Sequence, residues 1–213
     1  MDRGFFSEDD INDLYKNHVK FLISVKMLLS FIHKGIDPIY DTLQDFENYN
    51  AKYGLYCKTV RTVWHYSQER PYKGETLKEE RRLYIHYYYN IERAAEDKMI
   101  FDRKLNALKQ ELETDSCVPE HEKLYLKYFT CKTIPKRGTK VIVNKEEINK
   151  ATRYFGFFSL ITNETMDVVT ALELYRNKDV VEKAFGYLKE RLNTRRNLVL
   201  SEKVLMGNYL FSL

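Results

Sequence analysis

Four residues near the C-terminal end of the chain carry charges and a phenol at helical spacing. Tyr175, Lys178, Glu182 and Lys189 are separated by three, four and seven residues. On a helix that turns about 100° per residue, these intervals keep all four side chains on one narrow stripe. A carboxylate can bind a hard divalent cation, and ammonium groups can meet phosphate oxygens. The stripe therefore has the groups needed to hold a metal ion and a phosphodiester.

An apolar stripe runs beside the polar one and would dock this helix on a hydrophobic core. Its members are Val181, Ala184, Phe185, Leu188 and Leu192. The same spacing also fits an ordinary amphipathic helix whose charges form i,i+4 ion pairs in solvent. Spacing alone leaves both interpretations open.

The pattern Tyr-x2-Lys-x3-Glu-x6-Lys resembles the Tyr-x2-Arg-x3-Glu-x6-Lys signature of DDE transposases of the IS-four superfamily, with Lys178 in the place of the usual arginine. Asp2, followed by Arg-Gly-Phe-Phe-Ser at 3–7, is similar to the segment around the second catalytic aspartate of that family. Residues 19–26 resemble the strand after this aspartate, and residues 154–163 resemble the strand before the glutamate-bearing helix. The likeness thus covers both ends of the chain in the order that the family shows.

The resemblance implies a mixed α/β (α+β) fold that contains part of a ribonuclease-H-like catalytic core. Residues 1–26 and 151–213 would form the C-terminal part of the catalytic domain, and residues 27–150 an inserted subdomain of strands and helices. The implied activity is phosphoryl transfer on DNA, in the cut-and-paste transposition of an insertion sequence.

Carried over residue by residue, the resemblance makes Asp2 and Glu182 the catalytic carboxylates and the ligands of Mg²⁺ or Mn²⁺. Tyr175, Lys178 and Lys189 would bind the DNA of the transposon ends. At position 178, lysine keeps the positive charge of arginine and lacks its planar bidentate fork. We therefore expect a weaker and less specific phosphate contact there.

The family's first catalytic aspartate lies well before the second, whereas only Met1 precedes Asp2 in this sequence. The chain is therefore expected to be the C-terminal fragment of a transposase, lacking the first aspartate and the N-terminal DNA-binding region, and inactive alone. Two other functions stay open. One is a non-catalytic remnant that binds DNA or joins transposase subunits, as a homodimer or with full-length transposase. The other is an unrelated cytosolic interaction protein in which the motif occurs by chance.

Composition limits the class of protein. The chain has 213 residues, of which 44% are hydrophobic and 31% charged, enough for a folded domain with a sizeable core. A formal net charge of +4 permits DNA binding without requiring it. Three cysteines without a CxxC pair, no leader sequence and no apolar run of about 18 residues predict a cytoplasmic protein with free thiols and no membrane span.

Periodicity and turn residues predict alternating helices and strands. Between residues 27 and 50 we expect irregular helix, broken at Gly35 and Pro38. The other predicted elements are a helix from Ser7 to about 17, strands over 19–25, 55–66 and 83–89, a long helix over 91–113, a hairpin over 128–134 and 140–143, a helix capped by Asn144, a strand over 154–162 and helices over 167–176, around Glu182 and after Ser201.

Overall fold

The computed structural model describes residues 7–69, 74, 76–134 and 138–178. These residues form a mixed α and β fold with one five-stranded sheet and a separate two-stranded sheet, which confirms the predicted fold class. The chain divides into two compact units. The first contains the described residues up to Tyr88 and from Phe158 onward, and the second is Tyr89–Phe157.

The elements of the first unit come from both ends of the chain. In chain order they are α1 (Glu8–Lys16), β1 (Leu22–Val25), α2 (Ser30–Ile36), 3-10 helices at Asp37–Ile39 and Phe46–Asn48, β2 (Tyr49–Asn50), β3 (Leu55–Glu69) and β4 (Thr76–Tyr89). The second unit contains α3 (Ile91–Glu113), a 3-10 helix at Pro119–His121, α4 (Glu122–Tyr128), β5 (Phe129–Ile134), β6 (Gly138–Val143) and α5 (Lys145–Thr152). The chain then returns through β7 (Phe157–Thr162) to a helix over residues 168–178, which we call α6.

The five-stranded sheet has the strand order β1-β7-β4-β3-β2. Strands β1 and β7 pair antiparallel, with Leu22 opposite Thr162 and Val25 opposite Ser159. Strands β3 and β4, which we assigned to the subdomain 27–150, therefore belong to the same sheet as the strands from the chain ends. The compact units divide at 88/89 and 157/158. The assignment of residues 27–150 as a family insertion stays a prediction.

One face of the β3–β4 pair is covered by α1 and α2. The Trp64 indole donates a hydrogen bond to Asn12 Oδ1 over 2.8 Å, and the Tyr87 hydroxyl donates to the Ile32 carbonyl over 2.6 Å. Large side chains fill the space between these layers because the strands place alternate residues on the same face. The fully or almost fully buried ones are Ile11, Ile32, Ile36, Trp64, Tyr66, Leu83, Ile85 and Tyr87.

The predicted helix break at Gly35 is wrong. Helix α2 runs through Gly35, because the absence of a Cβ there leaves room for the hydroxyl of Tyr87. Pro38 lies inside the 3-10 helix Asp37–Ile39, close to its start, where the missing N–H costs no hydrogen bond.

The second unit confirms most of the predicted elements of its segment. Helix α3 has the predicted bounds and is capped by Asn90, whose side chain accepts from Arg93 N over 2.6 Å. The β5–β6 hairpin and the helix capped by Asn144 are also present. Leu108 of α3 lies in a buried cluster with Tyr125, Tyr128 and Phe129. Among the described residues no helix is both long enough and apolar enough to cross a membrane.

Candidate functional site

Helix α6 carries Tyr175 and Lys178, the two predicted site residues that the structure describes. Asp2, Glu182 and Lys189 lie outside the described residues. The backbone is helical at every position from 168 to 178. Tyr175 and Lys178 thus lie three positions apart on one helix, as the prediction that they share one stripe requires.

The start of α6 is held in place by a side-chain cap and by hydrogen bonds to the segment before β1. Asp167 accepts hydrogen bonds from the backbone N–H groups of Val169, over 2.9 Å, and of Thr170, over 3.3 Å. This satisfies two donors that a helix N-terminus leaves open. Just before it, Asn163 accepts from Phe21 N over 3.0 Å and donates to the Val19 carbonyl over 2.9 Å. The loop after β7 is therefore tied to the segment that leads into β1.

The inner face of α6 packs on the sheet. Ala171 and Leu172 are buried in a cluster with Leu55, Tyr88 and Leu160. The Tyr88 hydroxyl donates to the Val168 carbonyl over 2.8 Å, and burial raises the pKa of Tyr88, so this donor stays protonated. Packing and a hydrogen bond thus fix the rotation of the helix about its axis.

A second attachment lies farther along α6. The Glu173 carboxylate accepts hydrogen bonds from Lys52 Nζ over 2.7 Å and from the Tyr53 hydroxyl over 2.6 Å. The Lys52 hydrogen bond and then that of Tyr53 lower the pKa of Glu173. The Arg176 guanidinium lies 4.8 Å from the centre of the Tyr53 ring. These partners are about 120 residues apart in sequence, so no spacing pattern could have revealed them.

Tyr175 and Lys178 have different surroundings. Tyr175 is half-buried and packs against the cluster beneath α6, because it follows Leu172 and Ala171 by three and four positions on the same face. Lys178 is exposed. The predicted stripe therefore begins at the edge of the core and reaches solvent one turn later.

A buried histidine lies in strand β4, beneath α6. Its position among tyrosines was the one local sign of it. His86 is fully buried, and its Nδ1 lies 2.8 Å from Thr59 Oγ1. Its Nε2 has no hydrogen-bond partner in the described part of the chain. Burial lowers the pKa of His86 to about 4, although the nearby Asp167 acts in the opposite direction. The imidazole is therefore neutral at pH 7.

The described residues contain no group of three or more histidine, cysteine, aspartate or glutamate side chains arranged to hold a metal ion. A metal centre of the predicted kind would therefore depend on Asp2 and Glu182. Carboxylate oxygens are the ligands that Mg²⁺ and Mn²⁺ prefer in proteins. The donor type fits a divalent ion of this class.

Comparison with known families excludes one of the open interpretations. The family model of the transposase DDE domain matches residues 1–205, and hence both ends of the chain and the segment between them. The chain belongs to this transposase family. The interpretation as an unrelated interaction protein is thereby excluded. Neither the curated proteins nor the solved structures include a match to this chain.

Family membership gives the general function. A transposase DDE domain acts on DNA, and its family generally uses divalent metal ions.

Proposed function

We propose that this DDE transposase domain is of the IS-four type and supplies the second aspartate and the glutamate-bearing helix of a DNA-cutting site. The observation that carries the proposal is the anchoring of α6. Its first turns are fixed by Asp167, Tyr88 and Glu173, and Lys178 follows in solvent. The signature continues in the sequence to Glu182 and Lys189. A helix held at its start can direct such a stripe at one substrate with little loss of entropy on binding.

Each site residue has a distinct proposed role. Asp2 and Glu182 would bind Mg²⁺ or Mn²⁺, which supplies electrostatic stabilisation for the charge of a transferring phosphoryl group. Lys178 and Lys189 would hold phosphate oxygens of the transposon end as point charges. Tyr175 has lost part of its rotamer freedom to packing, so its hydroxyl would orient the DNA backbone at low entropic cost.

We expect the 213-residue chain by itself to leave DNA uncut, because only two of the family's three carboxylates are assigned within it. Two carboxylates are too few protein ligands to fix the metal ions of a two-metal site. The assay is incubation of purified protein with a supercoiled donor plasmid and Mg²⁺ or Mn²⁺. End cleavage that disappears in Glu182→Ala would contradict this expectation. Pairing with a second copy or with full-length transposase stays a prediction.

DNA binding tests the proposal without requiring catalysis. The wild-type chain should shift a transposon-end duplex in a gel, with an affinity that falls steeply as salt is raised. The single variants Lys178→Ala and Lys189→Ala should each reduce the slope of log affinity against log salt by about 1, because each loses one phosphate contact. Lys104→Ala, at an exposed position of α3, is the charge-matched control and should leave the slope unchanged.

The two outcomes test the assignment of the two lysines. DNA binding that depends on both lysines, without cleavage, supports a site that is present and incomplete, and it also suits a non-catalytic DNA-binding remnant. Binding that responds equally to Lys104→Ala would show that only net charge matters. In that case the assignment of Lys178 and Lys189 would be wrong.

A further inference from the structure

The face of the β3–β4 pair opposite to α1 and α2 is only partly covered. Helix α6 packs over its Leu55 and Tyr88 end. Farther along the strands, alternate residues are exposed. Thr59 of β3 contacts His86 of β4. The odd-numbered residues of β3 and the even-numbered residues of β4 therefore lie on the same side of the sheet. We call this surface the open face: Arg61, Val63, His65 and Ser67 on β3, and Thr76, Lys78, Glu80 and Arg82 on β4.

Among the charged side chains of the open face, basic ones outnumber acidic ones by three to one. Arg61, Lys78 and Arg82 make no ion pair with a carboxylate in the described part of the chain. Glu80 is the acidic member of the set, so the three cations Arg61, Lys78 and Arg82 and this one anion give a local formal charge of +2. On the other face of β4, Arg81 is paired with Glu79. The open face therefore holds basic groups that are free to meet an anion.

The chemistry of this surface favours nucleic acid over protein. The centres of protein interfaces are depleted of charged residues, whereas on the open face charged residues surround Val63, which is 46% exposed. Protein surfaces that bind DNA are polar and positively charged. The nearby Tyr84 is not available for base stacking, because the Arg82 guanidinium lies 5.7 Å from its ring centre and its hydroxyl bonds Thr165 over 3.0 Å. This favours the backbone of a duplex over unstacked bases.

We propose that the open face binds the phosphate backbone of duplex DNA, at a contact separate from the residues of α6. The inference rests on the proposed function, because the duplex would be part of the DNA on which the transposase acts. Arg61 and Arg82, one on each strand, supply the principal contacts. Arg82 is held in place by its stacking on Tyr84.

The test uses the full 213-residue chain and a 30-base-pair duplex of arbitrary sequence labelled for fluorescence anisotropy. Loss of two phosphate contacts in Arg61→Gln/Arg82→Gln should lower the slope of log affinity against log salt by about 2. Between 50 and 200 mM salt, the double variant should therefore lose about tenfold less affinity than the wild type does. Both side chains are exposed, so thermal unfolding should be unchanged.

Matched variants separate a local contact from a general charge effect. Lys104→Gln/Lys123→Gln removes two exposed lysines of the second unit. Its slope of log affinity against log salt should equal that of the wild type. Glu80→Gln should tighten binding severalfold, whereas Glu96→Gln, at an exposed position of α3, should have no effect. Equal effects of the two double variants would overturn the proposal.

The result also distinguishes this proposal from the function on which it rests. If Lys178 and Lys189 control the salt slope while the two arginines do not, the open face is not a DNA contact and the site on α6 stands. If the arginine variant alone lowers the slope, the open face binds DNA and the assignment of the lysines fails. If the wild-type chain at 50 mM salt binds neither the duplex of arbitrary sequence nor a transposon-end duplex, both proposals are overturned.

Discussion

Replacement of Gly156 by alanine is expected to lower the free energy of unfolding by about 3 kcal/mol. Gly156 has a φ of +77°, in the left-handed region that costs a residue with a Cβ about 1–2 kcal/mol. An added Cβ would also lie 2.6 Å from the Asn90 carbonyl oxygen and 2.9 Å from Ala94 Cα. Both are backbone atoms of the start of α3, so a rotamer change cannot relieve the overlap.

The surrounding hydrogen bonds keep Gly156 from moving away. Its N–H donates to Asp97 Oδ2 over 3.0 Å, and its carbonyl accepts from Asn90 N over 3.0 Å. A shift of the backbone would break these bonds at the N-terminus of α3. We therefore expect two costs to add in the Gly156→Ala variant: the cost of the left-handed backbone conformation, and an overpacking cost of about 1–3 kcal/mol.

Urea unfolding of the Gly156→Ala and Gly54→Ala variants provides the measurement. Gly54 has a φ of +62° and no atom within 4 Å of an added Cβ. Its replacement should therefore cost only the left-handed conformation, about 1–2 kcal/mol. A Gly156→Ala variant no less stable than Gly54→Ala would show that the contact with α3 does not constrain the fold.

Acidification from pH 6.5 to pH 4 is expected to remove about 3 kcal/mol of stability through His86 alone. Burial lowers the pKa of His86 to about 4 in the folded protein, whereas an unfolded histidine has a pKa of about 6.5. Between these values the unfolded chain binds a proton that the folded chain does not. The free energy of unfolding therefore rises with pH across this window. The contribution of His86 is fully present above about pH 6.5, and below about pH 4 this residue causes no further loss.

The physical reason is the environment of the imidazole. A protonated ring must donate from both nitrogens. Thr59 lies beside Nδ1, and Nε2 has no partner among the described residues. Protonation of His86 would thus leave a buried charge with an unsatisfied donor, which costs more than the neutral ring does.

Unfolding free energies measured in urea between pH 4 and pH 7 would check this expectation. His86→Gln should be less stable than the wild type at pH 7. Its free energy of unfolding should change less between pH 7 and pH 4, because the contribution of His86 is lost. His65→Asn, at an exposed position of β3, should keep the slope of the wild type. If His86→Gln showed the same slope as the wild type, another group would be responsible.

Local signals were sufficient to predict many elements. The bounds of α3 follow from apolar residues at helical spacing. Ser7 and Asn144 cap α1 and α5, and the β5–β6 hairpin flanks its predicted turn. Each of these signals lies within a few residues of the structure that it specifies, so it can be read without knowledge of the fold. The family was likewise recognisable from short motifs at the two ends of the chain.

The long-range arrangement could not be derived in this way. Nothing in the spacing indicated that β3 and β4 would join the sheet of β1 and β7, that α2 would continue through Gly35, or that Tyr175 would pack on the core. Glu173 and Tyr53 meet across 120 positions of the chain. Such contacts depend on which surfaces are complementary after the chain has folded, and no repeat in the sequence records them. The types of the site residues are therefore properties of the sequence, whereas the orientation of α6 and the exposure of the open face are properties of packing.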